Sequence, residues 1–111
     1  MAFKINGTTI SLTRGDTLRV KIDIINPDGS IHVPESGDSV RFAMKAKYTD
    51  KDPVLEKDIP TDTLLLVLNP NDTKTLKMPF DYVYDIEYTY ANGDVDTFID
   101  KAKFKITEEV D

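Results

Sequence analysis

The chain has 111 residues, of which 40% are hydrophobic and 31% are charged, and its net charge is −6 at pH 7. A chain of this length and balance forms one domain around one hydrophobic core, so we assign residues 1–111 to a single domain. The absence of cysteine excludes disulfides and thiolate chemistry. A negative net charge disfavours nucleic-acid binding. The sequence shows neither the apolar run of a signal peptide nor the ~20 apolar residues of a membrane span, so we expect no membrane insertion.

Alternation of apolar and polar residues, the pattern of a half-buried strand, recurs along the whole chain. Asn6-Gly7, which suits a tight hairpin, separates the first two of these segments. Further turns are predicted at 26–29, 36–38, 50–53 and 92–93. The predicted strands are residues 3–5, 8–12, 18–24, 40–46, 54–58, 64–68, 82–90, 95–99 and 102–106.

One short helix interrupts this series of strands. Pro70, followed by Asn71 or Asp72 as a cap, predicts a single helical turn over residues 73–76. Tyr82 begins a late strand six residues after this crossover ends at residue 76. It is our candidate for the tyrosine that hydrogen-bonds across a strand corner in immunoglobulin-like folds, with Tyr84 as the alternative.

Strands spaced by about ten residues, with Gly and Pro turns between them, predict an all-β fold. We expect an antiparallel β-sandwich, immunoglobulin/fibronectin-like or Greek-key, with about seven to nine strands. The predicted core consists of Leu18, Val20, Ile22, Ile24, Val40, Phe42, Met44, Leu64, Leu66, Leu68, Leu76, Tyr84, Ile86, Phe104 and Ile106.

The sequence contains no recognisable catalytic or metal-binding constellation, and we predict a non-enzymatic protein without cofactor or metal. His32 is the only histidine, and no serine has the sequence context of a nucleophile, so we interpret His32 as a surface residue. The acidic turn at 92–96 lacks the glutamate that an EF-hand loop needs. Asp85 and Glu87 would share one strand face, as a pair of glycosidase carboxylates could, but such residues also keep a strand soluble.

Two motifs that contain basic residues have ordinary structural interpretations. Arg14-Gly15-Asp16 matches an integrin-ligand tripeptide, but it lies between two alternating segments and reads as a turn. Residues 101, 103 and 105 are lysines on one face of a predicted strand, which we interpret as a solvated face rather than a nucleic-acid patch.

Two sets of residues are candidates for contact with a partner. Tyr82, Tyr84, Tyr88 and Tyr90 share one parity of a single strand, and we favour a core position for this face. If the face is instead partly open, Tyr88 and Tyr90 are the residues that would contact a partner or a glycan. Phe3, Ile5 and Ile10 in the N-terminal segments are candidates for edge-strand assembly.

Several motifs, taken in their order, resemble a known family. They are Thr13-Arg14-Gly15-Asp16-Thr17 before an alternating strand, Gly37-Asp38-Ser39-Val40-Arg41-Phe42, Pro70-Asn71-Asp72-Thr73 with Leu76, Tyr82-Val83-Tyr84-Asp85-Ile86, and Asn92-Gly93-Asp94 with Thr97. Together they resemble the small β-sandwich modules of tail and baseplate proteins from phages of Gram-positive bacteria. The nearest resemblance is to the N-terminal domain of siphophage baseplate upper proteins. The approach to the Tyr-x-Tyr-Asp-Ile strand departs from the family, because Met78-Pro79-Phe80-Asp81 stands where a glycine is usual.

The resemblance implies a phage or prophage structural protein that assembles or docks in a tail or baseplate. Its expected partners are other virion or tail proteins and further copies of itself. Its expected location is the virion, after synthesis in the bacterial host cytoplasm without a signal peptide. The alternative from a different class is a carbohydrate-binding module that recognises a host-surface glycan through exposed tyrosines.

Overall fold

The computed structural model describes residues 3–6, 8–76 and 80–108. These residues form a mostly β structure, as predicted. The elements are β1 (Phe3–Asn6), β2 (Thr9–Thr13), β3 (Leu18–Lys21), β4 (Ser39–Lys45), β5 (Leu55–Ile59), β6 (Leu65–Leu68), α1 (Pro70–Thr73), β7 (Phe80–Thr89) and β8 (Val95–Thr107). Within the described ranges, no helix has the length and apolar character needed to cross a membrane.

The strands form a six-stranded sheet, in the order β1-β2-β8-β7-β4-β5, and a two-stranded sheet of β3 and β6. The larger sheet is curled. It is also mixed, because β2 runs parallel to β8, so the expectation of purely antiparallel pairing is wrong at this pair. Residues 10 and 12 lie beside residues 104 and 106, so both strands turn their apolar parity to the same side. No tight turn has to join these two distant strands, which leaves them free to run parallel.

Both sheets contribute to one buried cluster. Leu18 and Leu66 of the smaller sheet have no exposed surface, and neither do Phe42 and Phe104 of the larger sheet. The predicted core is confirmed except at Val20 and Ile22, which are only partly buried. Further core positions, which sequence reasoning did not list, are Ile10, Leu12, Ile59, Tyr82, Tyr88 and Ala102.

The outer face of the larger sheet carries charges that alternate from strand to strand. Arg41 of β4 is paired with Asp58 on β5 and with Glu87 on β7. Lys105 of β8 is paired with Asp81 on β7. The lysines of β8 therefore run beside an acidic strand, which favours the interpretation of a solvated face.

Strand β8 unites two segments that were predicted as separate strands. The pairing of β7 with β8 shifts register on either side of Ile86. Near the shift, Lys101 has a positive φ of 54° and donates its backbone N–H to Asp85 Oδ1 over 2.8 Å. Such a bulge adds residues to one strand without ending the pairing, which is why the alternation breaks although the strand continues.

The helical turn begins three residues earlier than predicted. Asn69 is the N-cap and Pro70 occupies the first turn, where a proline's missing N–H costs nothing. The Asn69 backbone N–H donates to Asp72 Oδ2 over 2.7 Å, and Lys57 Nζ lies 3.0 Å from the same oxygen. Asp72 thus joins α1 to β5.

Candidate docking surface

The chain between β3 and β4 folds back on itself at residues 24–33, which we call the apical hairpin. Ile25 and Ile31 form an antiparallel bridge across it. At its turn, the Ser30 backbone N–H donates to Asp28 Oδ1 over 2.9 Å. Hydrogen bonds from Ser30, its hydroxyl first, lower the pKa of Asp28. The predicted turn at 26–29 is therefore confirmed, and it closes a hairpin that sequence reasoning did not recognise.

The two faces of the apical hairpin differ sharply. Ile24, with 1% exposure, and His32, which is half-buried, face the body of the protein. Ile25, Ile31 and Val33 are 51%, 63% and 74% exposed. Because bridged residues and alternate residues share a side, these three form one patch, which we call the apical surface. Single exposed aliphatic side chains are ordinary, but a group of them rimmed by polar residues is typical of an interaction site.

Asp38 joins the chain just beyond the apical hairpin to the end of β7. Its Oδ2 accepts hydrogen bonds from the Tyr88 hydroxyl and from the Glu35 backbone N–H, the latter over 3.0 Å. Its Oδ1 accepts from the Ala91 backbone N–H over 2.9 Å. The His32 ring packs edge-on against Tyr88, and its Nε2 lies 3.1 Å from the Tyr88 hydroxyl.

The protonation states in this network follow from its geometry. The hydrogen bond from Tyr88, followed by that from the Glu35 amide, lowers the pKa of Asp38. Burial, followed by the hydrogen bond to Asp38, raises the pKa of Tyr88. Tyr88 therefore stays protonated and donates a hydrogen bond to the Asp38 carboxylate, and its oxygen accepts a hydrogen bond from His32 in the tautomer that carries a hydrogen on Nε2. His32 thus lies in the predicted loop and is half-buried, because its ring packs against Tyr88.

The segments at this end of the molecule carry charge of one sign only. Residues 22–40 include Asp23, Asp28, Glu35 and Asp38 and contain no lysine or arginine. Residues 90–98, which form the neighbouring β7–β8 turn and its flanks, contain two further aspartates and again no basic residue. The apical surface therefore belongs to a segment that carries acidic side chains and no lysine or arginine.

The structure confirms that the tyrosine face of β7 belongs to the core. Tyr82, Tyr84 and Tyr88 are buried, and Tyr90 is half-buried with its hydroxyl donating to Asp96 Oδ2 over 3.0 Å. The rings of Tyr88 and Tyr90 are inclined by 54°. Tyr88 as a contact for a partner or glycan is therefore wrong, since it has no exposed surface and the pair offers no flat platform.

Strand β1 occupies an edge of the larger sheet, where an assembly strand was expected. The side chains of Phe3 and Ile5 lie outside the described residues, and their role in assembly stays a prediction. Ile10 as an edge contact is wrong, because β2 is paired on both sides and Ile10 is only 3% exposed.

Of the two candidates for the corner tyrosine, the structure excludes one. Tyr84 is not the corner residue, because its hydroxyl donates to the Thr8 carbonyl beside the β1–β2 turn. Tyr82 is 3% exposed near the start of β7, where a corner tyrosine belongs, and its corner hydrogen bond stays a prediction.

The remaining sequence motifs have structural roles. Gly15, with φ 85°, donates its N–H to the buried Thr73 Oγ1 over 2.8 Å and so ties the β2–β3 turn to α1. This contact supports the interpretation of Arg14-Gly15-Asp16 as a turn. Asp85 accepts the Lys101 amide at the bulge of β8. Among the described residues, no group of three or more His, Asp or Glu side chains is placed to hold a metal ion.

A groove of about 200 Å³ lies on the outer face of the larger sheet above Ala43. Charged side chains of both signs line it: Arg41, Lys45, Lys51, Glu56, Asp85 and Glu87. Arg41 Nη1 lies 3.8 Å from Glu56 Oε2 at its rim. The groove combines a narrow apolar floor with mutually compensating charges, so its lining does not select a ligand of one charge.

A pattern in the sequence around the 26–29 turn indicates the apical hairpin. Two isoleucines precede the 26–29 turn, and Ile31 and Val33 alternate after it. This pattern is that of a short hairpin, and the lack of lysine or arginine from 22 to 40 marks it as unusual for an exposed segment.

Comparisons with known proteins complete the description of the site. No protein-family model matches the chain, and neither a search of curated proteins nor a search of solved structures found a match.

Proposed function

We propose that this protein is a non-enzymatic structural module of a phage or prophage tail or baseplate, and that it works by docking onto other proteins. The observation that carries the docking part of the proposal is the apical surface, where Ile25, Ile31 and Val33 are each more than half exposed. The phage assignment rests on the sequence resemblance described above.

A docking surface is most effective when its shape exists before the partner arrives. Ordering a loose loop during association costs free energy, and a preformed surface avoids that cost. The bridge between Ile25 and Ile31 and the contact of His32 with Tyr88 supply such preorganisation. The apical hairpin therefore combines exposed apolar area with fixed geometry.

We further propose that the two sheets form an immunoglobulin-like sandwich. In that fold the strand order G-F-C-C′ faces a sheet that contains the B and E strands. The neighbours β8-β7-β4-β5 and the pair β3-β6 fit this order. We expect nuclear Overhauser contacts from the Leu66 methyl groups to the ring protons of Phe42 or Phe104, and their complete absence would refute a sandwich.

The test of the docking function is incorporation into particles. In the bacterium that carries the gene, particles induced and purified by density gradient should contain the chain, as detected by mass spectrometry. The variant Ile31→Ser/Val33→Ser should fold normally but be depleted from particles, because it removes the apolar centre of the apical surface. Tyr48→Ser is the matched control, since Tyr48 is 61% exposed and lies outside the apical hairpin. Particles that lack the wild-type chain would refute the proposed function.

A further inference from the structure

The smaller sheet presents a second surface, which differs from the apical surface in charge. Its register pairs Arg19 with Val67 and Lys21 with Leu65. Arg19 and Lys21 are exposed, and the two aliphatic partners are half-buried. All four residues have the parity opposite to the fully buried leucines of the same strands, so they lie on the outer side of the sheet. We call these four residues the basic face.

The apical surface and the basic face complement each other. The first is formed by a segment, residues 22–40, whose charged side chains include the exposed carboxylates Asp23 and Glu35 and which contains no lysine or arginine. The second places Arg19 and Lys21 beside aliphatic side chains. Contacts between a positive and a negative patch are favoured during encounter, while contacts between like patches are penalised.

We propose that the protein docks onto a second copy of itself, with the apical surface of one copy against the basic face of the next. This inference rests on the proposed function and names one partner for the same surface. A contact between two apical surfaces is disfavoured, because it would bring only carboxylates together around the apolar centre.

The contact has a consequence for assembly. Because the two surfaces are unlike, a docked pair leaves the basic face of one copy and the apical surface of the other copy free. A further copy can dock at either of these two surfaces. Such a contact closes into a ring when the rotation between copies allows it and otherwise extends as a filament. Either outcome would suit a module that builds a tail or baseplate.

Charge reversal provides a sharp test, using multi-angle light scattering on a sizing column at several concentrations. The apical variant is Asp23→Lys/Glu35→Lys, and the basic variant is Arg19→Glu/Lys21→Glu. The matched control is Lys51→Glu/Lys103→Glu, which has the same charge change as the basic variant but lies outside the smaller sheet, with Lys51 between β4 and β5 and Lys103 on β8. Circular dichroism checks that every variant folds, as expected for exposed positions.

We expect the wild-type chain and the control to associate as concentration rises. Each variant alone should associate at least about tenfold more weakly, because its two surfaces then carry the same sign. An equimolar mixture of the two variants should associate again, since each reversed surface now faces an opposite charge on the other variant. Raising the salt from ~0.05 M to ~0.5 M should weaken the wild-type association through screening.

Three results would overturn the inference. The first is a wild-type chain that stays monomeric at every concentration, and the second is a mixture that stays as dissociated as the separate variants. Association that the variants leave unchanged would likewise overturn it, and would point to another surface such as the edge strand β1. Incorporation into particles is measured separately, so a failure of self-docking is distinguishable from a failure of the proposed function.

Discussion

Phe42 lies at the centre of the structure, and its truncation gives a quantitative test of the fold. Its side chain has no exposed surface, and its ring centroid lies 5.4 Å from that of Tyr84 and 6.0 Å from that of Phe104. Replacing a buried phenylalanine by alanine costs about 3–5 kcal/mol. Aromatic pairs of this kind contribute about 0.5–1.5 kcal/mol each beyond their burial, which places Phe42→Ala in the upper half of that range.

The loss is measurable by urea denaturation monitored by far-ultraviolet circular dichroism and tyrosine fluorescence. For a domain of this size the free energy of unfolding falls by about 1.5 kcal/mol per molar urea, so a loss of about 4 kcal/mol lowers the midpoint by roughly 2–3 M. Phe42→Leu keeps most of the burial and removes only the aromatic pairing, so we expect a loss of about 1–2 kcal/mol.

Phe98→Ala is the matched control, because it removes the same ring from a position that is 37% exposed. We expect it to cost less than half as much as Phe42→Ala. Equal losses at the two positions, or a loss below about 1.5 kcal/mol at Phe42, would show that the inward face of β4 is assigned wrongly.

Three further substitutions test separate parts of the structure. Burial raises the pKa of Tyr84 to about 12, whereas a tyrosine in the unfolded chain titrates near 10. The stability that protonated Tyr84 contributes is therefore complete below about pH 10 and is lost as the pH rises towards 12. Tyr84→Phe should therefore reduce the loss of stability between pH 9 and pH 11.5 in urea titrations; an unchanged pH dependence would contradict this. Gly37→Ala should destabilise the protein more than Gly29→Ala, since both glycines have φ near +90° but only at Gly37 would a new Cβ meet another atom, Ala91 Cβ, at 2.9 Å. Similar melting temperatures for the two variants would refute the close approach of the two turns. Thr73→Val should cost about 1–3 kcal/mol, because it leaves the Gly15 N–H without its side-chain acceptor, whereas the exposed Thr75→Val should be nearly neutral; equal effects on the chemical denaturation midpoint would count against this tie.

The alternating strands could be read from the sequence because their pattern is local. In β7, buried and partly exposed residues alternate from Tyr82 to Thr89, as the apolar and acidic parities predict. The core positions on β4 and β6 follow for the same reason. A strand's own residues decide which of its faces is buried, so no knowledge of its partner is needed.

Pairing between strands could not be predicted in this way. The parallel pair of β2 and β8 and the separation of β3 with β6 into their own sheet depend on contacts between distant segments. The helical turn was displaced because Asn69, rather than Asn71 or Asp72, supplies the N-cap. The bulge at Lys101 broke an alternation that otherwise continues through β8.

The network of Tyr88, Asp38 and His32 could not be predicted from the sequence for a related reason. Tyr88 reaches Asp38 across 50 positions of the chain and His32 across 56. Each of these residues alone has an ordinary interpretation, as a strand tyrosine, a turn aspartate and a loop histidine. Their common role in holding the apical hairpin emerges only when the β7–β8 turn and the segment before β4 are brought together.

Hydrogen–deuterium exchange of the full chain, compared at low and high protein concentration, tests the docking of one copy onto another most directly. We expect slower exchange at high concentration in two places together, the apical hairpin at 24–33 and the smaller sheet of β3 and β6, with β1 and β5 unchanged. Slower exchange confined to β1, or exchange that does not change with concentration anywhere, would contradict it.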